Sequence, residues 1–223
     1  MFRSKLRTLV FLFAVVQIFV YKTGFCVDDG DFQYWNTESV SVKVNEDMEV
    51  TLEEEFRFAD DAGYLAYQHS DLGFEYSGIA DWLVLGANYR HIFEKSGGKR
   101  VETNEPHVNA TVKWKAVGFG FSNRLRFAYK NREAGEDGWV YRNKFGFKPL
   151  RKFTKLSIQP YVADEIFIDL DTSRFTRNRL YAGFELPLSK NIKAQLFYLW
   201  QTSKSSGAWI DLNVLGTKIK MAF

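Results

Sequence analysis

Apolar residues in this chain recur at every second position, a period that belongs to β-strands and not to helices. In Met48-Glu49-Val50-Thr51-Leu52-Glu53-Glu54-Glu55-Phe56-Arg57-Phe58, one phase holds Met48, Val50, Leu52, Phe56 and Phe58, interrupted only by Glu54. The other phase holds Glu49, Thr51, Glu53, Glu55 and Arg57. Successive side chains of a strand point to opposite sides, so such a segment is oily on one side and charged on the other. Leu83, Leu85, Ala87, Tyr89 and Phe93 likewise oppose Asn88, Arg90 and Glu94, and Val108, Ala110, Val112 and Trp114 oppose His107, Asn109, Thr111, Lys113 and Lys115. The split returns in 119–130, 155–165, 177–186 and 192–201. Segments of this kind begin near residues 32, 47, 63, 81, 105, 118, 138, 154, 174, 191 and 208, without a linker or composition break. Compact turns at 45–47, 116–118 and 187–191 roughly alternate with longer hydrophilic connections at 95–103, 131–138 and 202–207. The connection at 148–154 is longish where a short one is expected.

A soluble sandwich or lipocalin-like barrel turns the apolar phase inward, whereas a membrane barrel turns it toward lipid and lines its lumen with the polar phase. The N-terminus favours the second. Arg3, Lys5 and Arg7 precede an apolar run over 9–21, and Gly24 and Cys26 offer small residues for cleavage after Cys26. Lipidation of Cys26 would want a small residue where Phe25 stands. No other apolar run approaches the roughly 20 residues of a membrane helix. Aromatic residues make up 17% of the chain, and Trp82, Trp114, Trp139, Trp200 and Trp209 lie mostly near strand ends, where interfacial girdles sit. The expectation is a signal peptide over 1–26 and, over 27–223, an all-β, antiparallel up-and-down transmembrane barrel. Bacterial single-chain barrels have even strand numbers, so eleven segments imply about twelve strands, with ten as the alternative. The last segment places Leu215, Ile219, Met221 and Phe223 on one face with Lys218 and Lys220 opposite. A terminal Phe closing such a row resembles the signal read by the outer-membrane assembly machinery. The expected partners are that machinery and outer-membrane lipid, and the expected location is the outer membrane of a Gram-negative bacterium. A net charge of +3, dispersed along the chain, argues against nucleic acid.

The runs Tyr34-Trp35-Asn36-Thr37, Pro160-Tyr161-Val162-Ala163-Asp164-Glu165, Arg177-Asn178-Arg179-Leu180-Tyr181-Ala182-Gly183, Tyr198-Leu199-Trp200-Gln201 and Asn213-Val214-Leu215-Gly216-Thr217 resemble the domain of unknown function 2490 family. The resemblance covers nearly the whole chain after the leader. It implies an outer-membrane barrel, no assigned activity and no catalytic residues.

The polar phase nominates Glu53, Glu55, Arg57, Arg90, Lys113, Arg124, Arg126, Arg142, Lys144, Glu165, Arg177, Arg179 and Glu185 as lumen-facing. Charges removed from bulk water must be paired or hydrated. Two readings follow: a lumen packed shut by its own ion pairs, or a narrow porin-like channel with an anion preference from the excess of Arg and Lys. Asn123-Arg124-Leu125, Asn143-Lys144-Phe145 and Asn178-Arg179-Leu180 each put a base on the polar phase, as a cation ladder or as repeated strand chemistry. Other readings are an outer-membrane lipid esterase or deacylase and a soluble secreted ligand-binding barrel. His69 is the weak catalytic candidate in His69-Ser70-Asp71, but adjacent strand residues face opposite sides, so His69 and Ser70 cannot pair directly. No metal cluster, phosphate loop or cofactor fingerprint is evident, so no metal or cofactor is expected. With Cys26 the only cysteine, no disulfide is expected.

Overall fold

The structure, a computed structural model, describes residues 29–96, 98–205 and 207–223; the expected signal peptide lies outside them. Eleven strands close into one barrel: β1 (Asp31–Lys43), β2 (Met48–Ala59), β3 (Tyr64–Ala80), β4 (Leu83–Ser96), β5 (Lys99–Ala116), β6 (Phe119–Arg132), β7 (Gly138–Pro149), β8 (Gln159–Asp169), β9 (Arg174–Pro187), β10 (Ile192–Ser205) and β11 (Ala208–Ala222). Consecutive strands pair antiparallel, and β1 pairs with β11 in parallel from Asp31↔Leu212 to Ser41↔Ala222. Neither twelve nor ten is the count, and each segment seen in the sequence is a strand. The even number was inferred from a convention that closure does not require. Each hairpin reverses the chain, so an eleventh strand runs in the direction of the first, and a parallel ladder still satisfies both edges.

The odd count puts the described ends of the chain at opposite ends of the barrel. Turns 60–63, 98, 133–137, 170–173 and 207 lie at the end where β1 begins; turns 44–47, 81–82, 117–118, 150–158 and 188–191 lie at the end where β11 stops. Long connections do not mark one end. The polar stretches at 95–103 and 202–207 belong largely to β4, β5, β10 and β11, whose ladders run to Ser96↔Lys99 and Ser205↔Ala208. The longest connection is 150–158, stiffened by a small Phe153↔Ile158 bridge. Between β5 and β6, Val117 (φ 48°) and Gly118 (φ 79°) take the two left-handed positions of a tight hairpin.

The apolar phase faces out. Leu52, Leu72, Phe74, Phe127, Leu180, Phe184, Leu196 and Tyr198 are exposed, while their strand neighbours point into the lumen. An interior row near the seam shows how the wall is shaped for a large ring. Gly183, Phe197 and Gly216 are direct cross-strand partners on β9, β10 and β11. Phe197 lies over the bare backbone of Gly216, where an added Cβ would stand 2.0 Å from its Cζ, and packs on Tyr181 at a centroid distance of 5.8 Å.

Gly216→Val is therefore expected to expel the Phe197 ring and cost about 1–3 kcal/mol. Thermal unfolding followed by heat-modifiable gel migration should show a lower midpoint, and Phe197→Leu in the same chain should recover part of the loss.

Candidate functional site in the lumen

Two cross-strand rows organise the interior. On β2 to β5, Glu53, Asp71, Arg90 and Glu105 are successive register partners. Arg90 donates from Nε to Asp71 Oδ2 at 2.8 Å, its Nη2 lies 2.7 Å from the same oxygen, and its Nη1 lies 3.7 Å from Glu105. Asn88 donates to the other Asp71 oxygen at 2.8 Å. On β6 to β10, Arg124, Lys144, Glu165, Arg179 and Gln201 are successive partners. Glu165, 1% exposed, accepts from Arg124 Nη2 at 3.0 Å and Arg142 Nη2 at 2.9 Å on one oxygen, and from the Tyr181 hydroxyl at 3.0 Å on the other. Arg179 Nη1 stands 3.9 Å from that second oxygen, and Lys144 lies over the Tyr181 ring at 3.4 Å. The bases of the three triplets thus gather around a single carboxylate. Their asparagines face outward, where Asn143 donates to Asn123 and Asn178 to Asp164, each at 2.8 Å.

Ionic and aromatic contacts close one half of the lumen. The Arg57 guanidinium is sandwiched between Trp35 at 3.9 Å and Tyr67 at 4.0 Å, and pairs with Glu55 at 2.5 Å. Arg179 also lies over Trp35 at 4.8 Å. Around and beyond this layer, toward the start of β1, Ala59, Tyr64, Ile92, Ala128, Val140, Phe167, Leu199, Leu212 and Val214 are buried. Arg177 belongs to this closed half, over Phe167 at 5.3 Å.

The other half is a cavity of about 1130 Å³, with Asp81, Trp82 and Leu150 at its rim at the Phe223 end. Glu53, Glu55, Arg57, Arg90, Lys113, Arg124, Arg126, Arg142, Lys144, Glu165, Arg179 and Glu185 all line it. Its lining carries twelve Arg or Lys against seven Asp or Glu. Among the described residues, Lys113, Lys115 and Lys220 make no ion pair. Arg126, 5% exposed, donates from Nε to Asn109 at 2.8 Å and leaves Nη1 buried without a partner; Arg142 Nε is in the same state.

His69 also points inward, with Nε2 3.5 Å from Glu53 and its ring edge-on to Tyr67, while Ser70 points out. Glu53, His69 and Asp71 hold ligand-capable atoms within 4.8 Å of one another. That space already contains cationic groups: Lys218 Nζ is 2.5 Å from Glu53, and Arg90 contacts both carboxylates. A guanidinium and an ammonium thus already pair with two of the three groups. The sequence placed His107 on the polar phase, but it did not nominate Asp71 and Glu105 as lumen-facing, both buried, because the period-two signal fades in β3 and around 103–107, where both phases carry polar residues.

The seam is clamped on both faces. Inside, Lys218 of β11 reaches across β1 to Glu53 of β2. Outside, Thr217 Oγ1 bonds the Tyr34 hydroxyl at 2.7 Å and accepts from Asn36 Nδ2 at 3.1 Å. Leu215, Ile219 and Met221 continue the outward row of β11, and the Phe223 N–H donates to Ser41 O at 3.0 Å.

A closed barrel with apolar residues outside and a charged, partly hollow interior defines a membrane-barrel architecture. The sequence matches the family described as protein of unknown function (DUF2490) over residues 32–211, and the chain belongs to that family. Among solved structures, the NanC porin in a rhombohedral crystal form is 10% identical, with a TM-score of 0.51 over 82% of this chain and 93% of that one. LpxR from Salmonella typhimurium is 11% identical, with a TM-score of 0.47 over 81% and 84%. At 10% identity the likeness to the porin shows the fold alone. A search of curated proteins finds no match.

Removing Glu165 leaves Arg124, Arg142 and Arg179 facing one another without their shared carboxylate. Glu165→Ala is expected to destabilise the barrel by about 3–5 kcal/mol, visible as a lower unfolding midpoint in detergent. Arg142→Gln added to Glu165→Gln should recover part of that loss, and strict additivity of the two changes would contradict the hub.

Proposed function

We propose that this protein is an outer-membrane barrel of a Gram-negative bacterium, exported by residues 1–26 and inserted through the strand ending in Phe223. Its lumen serves as a blind, basic vestibule that holds a small anionic solute. The observation that carries the reading is the asymmetry of the lumen: packed shut at the β1 start, hollow and rich in unpaired bases at the Phe223 end. Lys113, Lys220 and the unpartnered Arg126 Nη1 are donors that phosphate or carboxylate groups would satisfy. The excess of bases supports the anion preference, and the closed half speaks for the plug over the conduit.

The purified barrel in planar bilayers is expected to stay silent in chloride, and steady anion-selective single-channel steps would instead establish the narrow channel. Titration calorimetry with inorganic phosphate and with citrate should give measurable heats. The double variant Lys113→Gln/Lys220→Gln should weaken that binding about tenfold while keeping the unfolding midpoint. Equal binding by wild type and variant would remove the vestibule as the site.

A further inference from the structure

The bases of the lumen are not spread evenly around it. The cavity-lining residues of β5, β6 and β7 include seven Arg or Lys and no Asp or Glu. Within that wall, Arg124 faces Lys144 and Arg126 faces Arg142 as direct register partners on β6 and β7. Like charges directly opposite one another destabilise a ladder. Glu165 serves three of these four bases, taking Arg124 and Arg142 on one oxygen and standing opposite Lys144 in the register. Arg126 is left out.

Neutral groups hold Arg126 instead. Asn88 donates to Asp71 at 2.8 Å, Asn109 donates to the Asn88 oxygen at 2.9 Å, and the Asn109 oxygen so oriented accepts from Arg126 Nε at 2.8 Å. That chain of amides fixes the guanidinium and lends it no negative charge. Glu105, further along β5, is engaged by Arg90 and Lys130, each at 3.7 Å. Arg126 Nη1 and Arg142 Nε are both buried donors without a partner, on the last residues of β6 and β7 to line the cavity before the closed half. Buried donors left unpaired are costly, and such breaches of local rules concentrate at functional sites.

We infer that Arg126 and Arg142 form the seat for a dianionic phosphoryl group, which makes the solute of the vestibule inorganic phosphate or a small phosphate monoester. The inference rests on the vestibule proposed above and names what it holds. A phosphoryl group carries about two negative charges near neutral pH and offers three acceptor oxygens. Arg126 Nη1 and Arg142 Nε supply donors for two of them. Arg124 and Lys144, on the adjoining rung nearer the mouth, supply the third; the Lys144 ammonium lies over the Tyr181 ring and makes no ion pair among the described residues. A carboxylate brings one charge and two oxygens in one plane, which does not match bases on two rungs of two strands. A phosphodiester likewise brings one charge.

The test uses the full chain refolded in detergent and titration calorimetry at constant ionic strength, with inorganic phosphate, glycerol 3-phosphate, dimethyl phosphate and acetate as probes. Phosphate and glycerol 3-phosphate should bind about tenfold more tightly than dimethyl phosphate and acetate. Arg126→Gln should erase that preference and leave the ligand-free unfolding midpoint unchanged or higher, since it removes one of two facing charges. A lower midpoint with phosphate affinity intact would mark a purely structural arginine and overturn the seat. Arg126→Lys keeps the charge but loses the fork, and it should also weaken phosphate by about tenfold. Tighter binding of glycerol 3-phosphate than of phosphate marks a monoester as the solute; equal or weaker binding marks free phosphate. Acetate or dimethyl phosphate binding as tightly as phosphate, or wild-type phosphate affinity in both Arg126 variants, overturns the phosphoryl seat alone when citrate still binds and weakens in Lys113→Gln/Lys220→Gln. No heat from any of these anions, citrate included, overturns the vestibule beneath it.

Discussion

A strand edge is a row of unsatisfied N–H and C=O groups, and in a wall without water behind it no such row survives. Everything in this barrel answers to that requirement. Eleven strands can meet it only by pairing the first and last in parallel, with slanted bonds and slightly less stability per residue than the antiparallel ladders around them. The reinforcement falls at that seam. Lys218 reaches over β1 to Glu53, Thr217 is held by Tyr34 and Asn36 on the opposite face, and the Phe223 backbone is tied to Ser41.

Closing a narrow wall brings charged side chains from opposite strands within reach of each other. The result is not a uniform filling. Near the start of β1 the chain supplies Trp35, Tyr67 and Phe167, which convert guanidinium groups into packing material by stacking on them. Near Phe223 the inward residues include Lys113, Lys115, Lys148 and Lys220, compact charges on flexible stems, and there the lumen stays hollow. Guanidinium groups stacked on aromatics mark the closed half, and lysines without ion pairs, Lys113, Lys115 and Lys220, mark the mouth of the open one.

Much of this was legible. Alternation alone located all eleven strands and the phase of Glu53, Arg90, Arg124, Glu165 and Arg179, because side-chain direction on a strand is fixed by parity. Pairing across strands was not, because register depends on turns and tertiary closure. The charges around Glu165 come from β6, β7, β8 and β9, far apart in sequence, and no local spacing announces that they meet. Glu54 shows the same limit from the other side. In one strand it is a blemish on the apolar phase; aligned with Glu38, Ser70, His91 and Asn104 it is one position in a row. The strand count went astray for a different reason, since a general convention overrode a direct count.

The vestibule has a consequence for the cell that would carry it. On the proposed reading, a cavity closed at one end would exchange solute with a single compartment and would not dissipate a concentration difference across the wall that surrounds it. Occupancy would follow the chemistry of one side alone, and the barrel could be made in quantity without raising the permeability of the membrane.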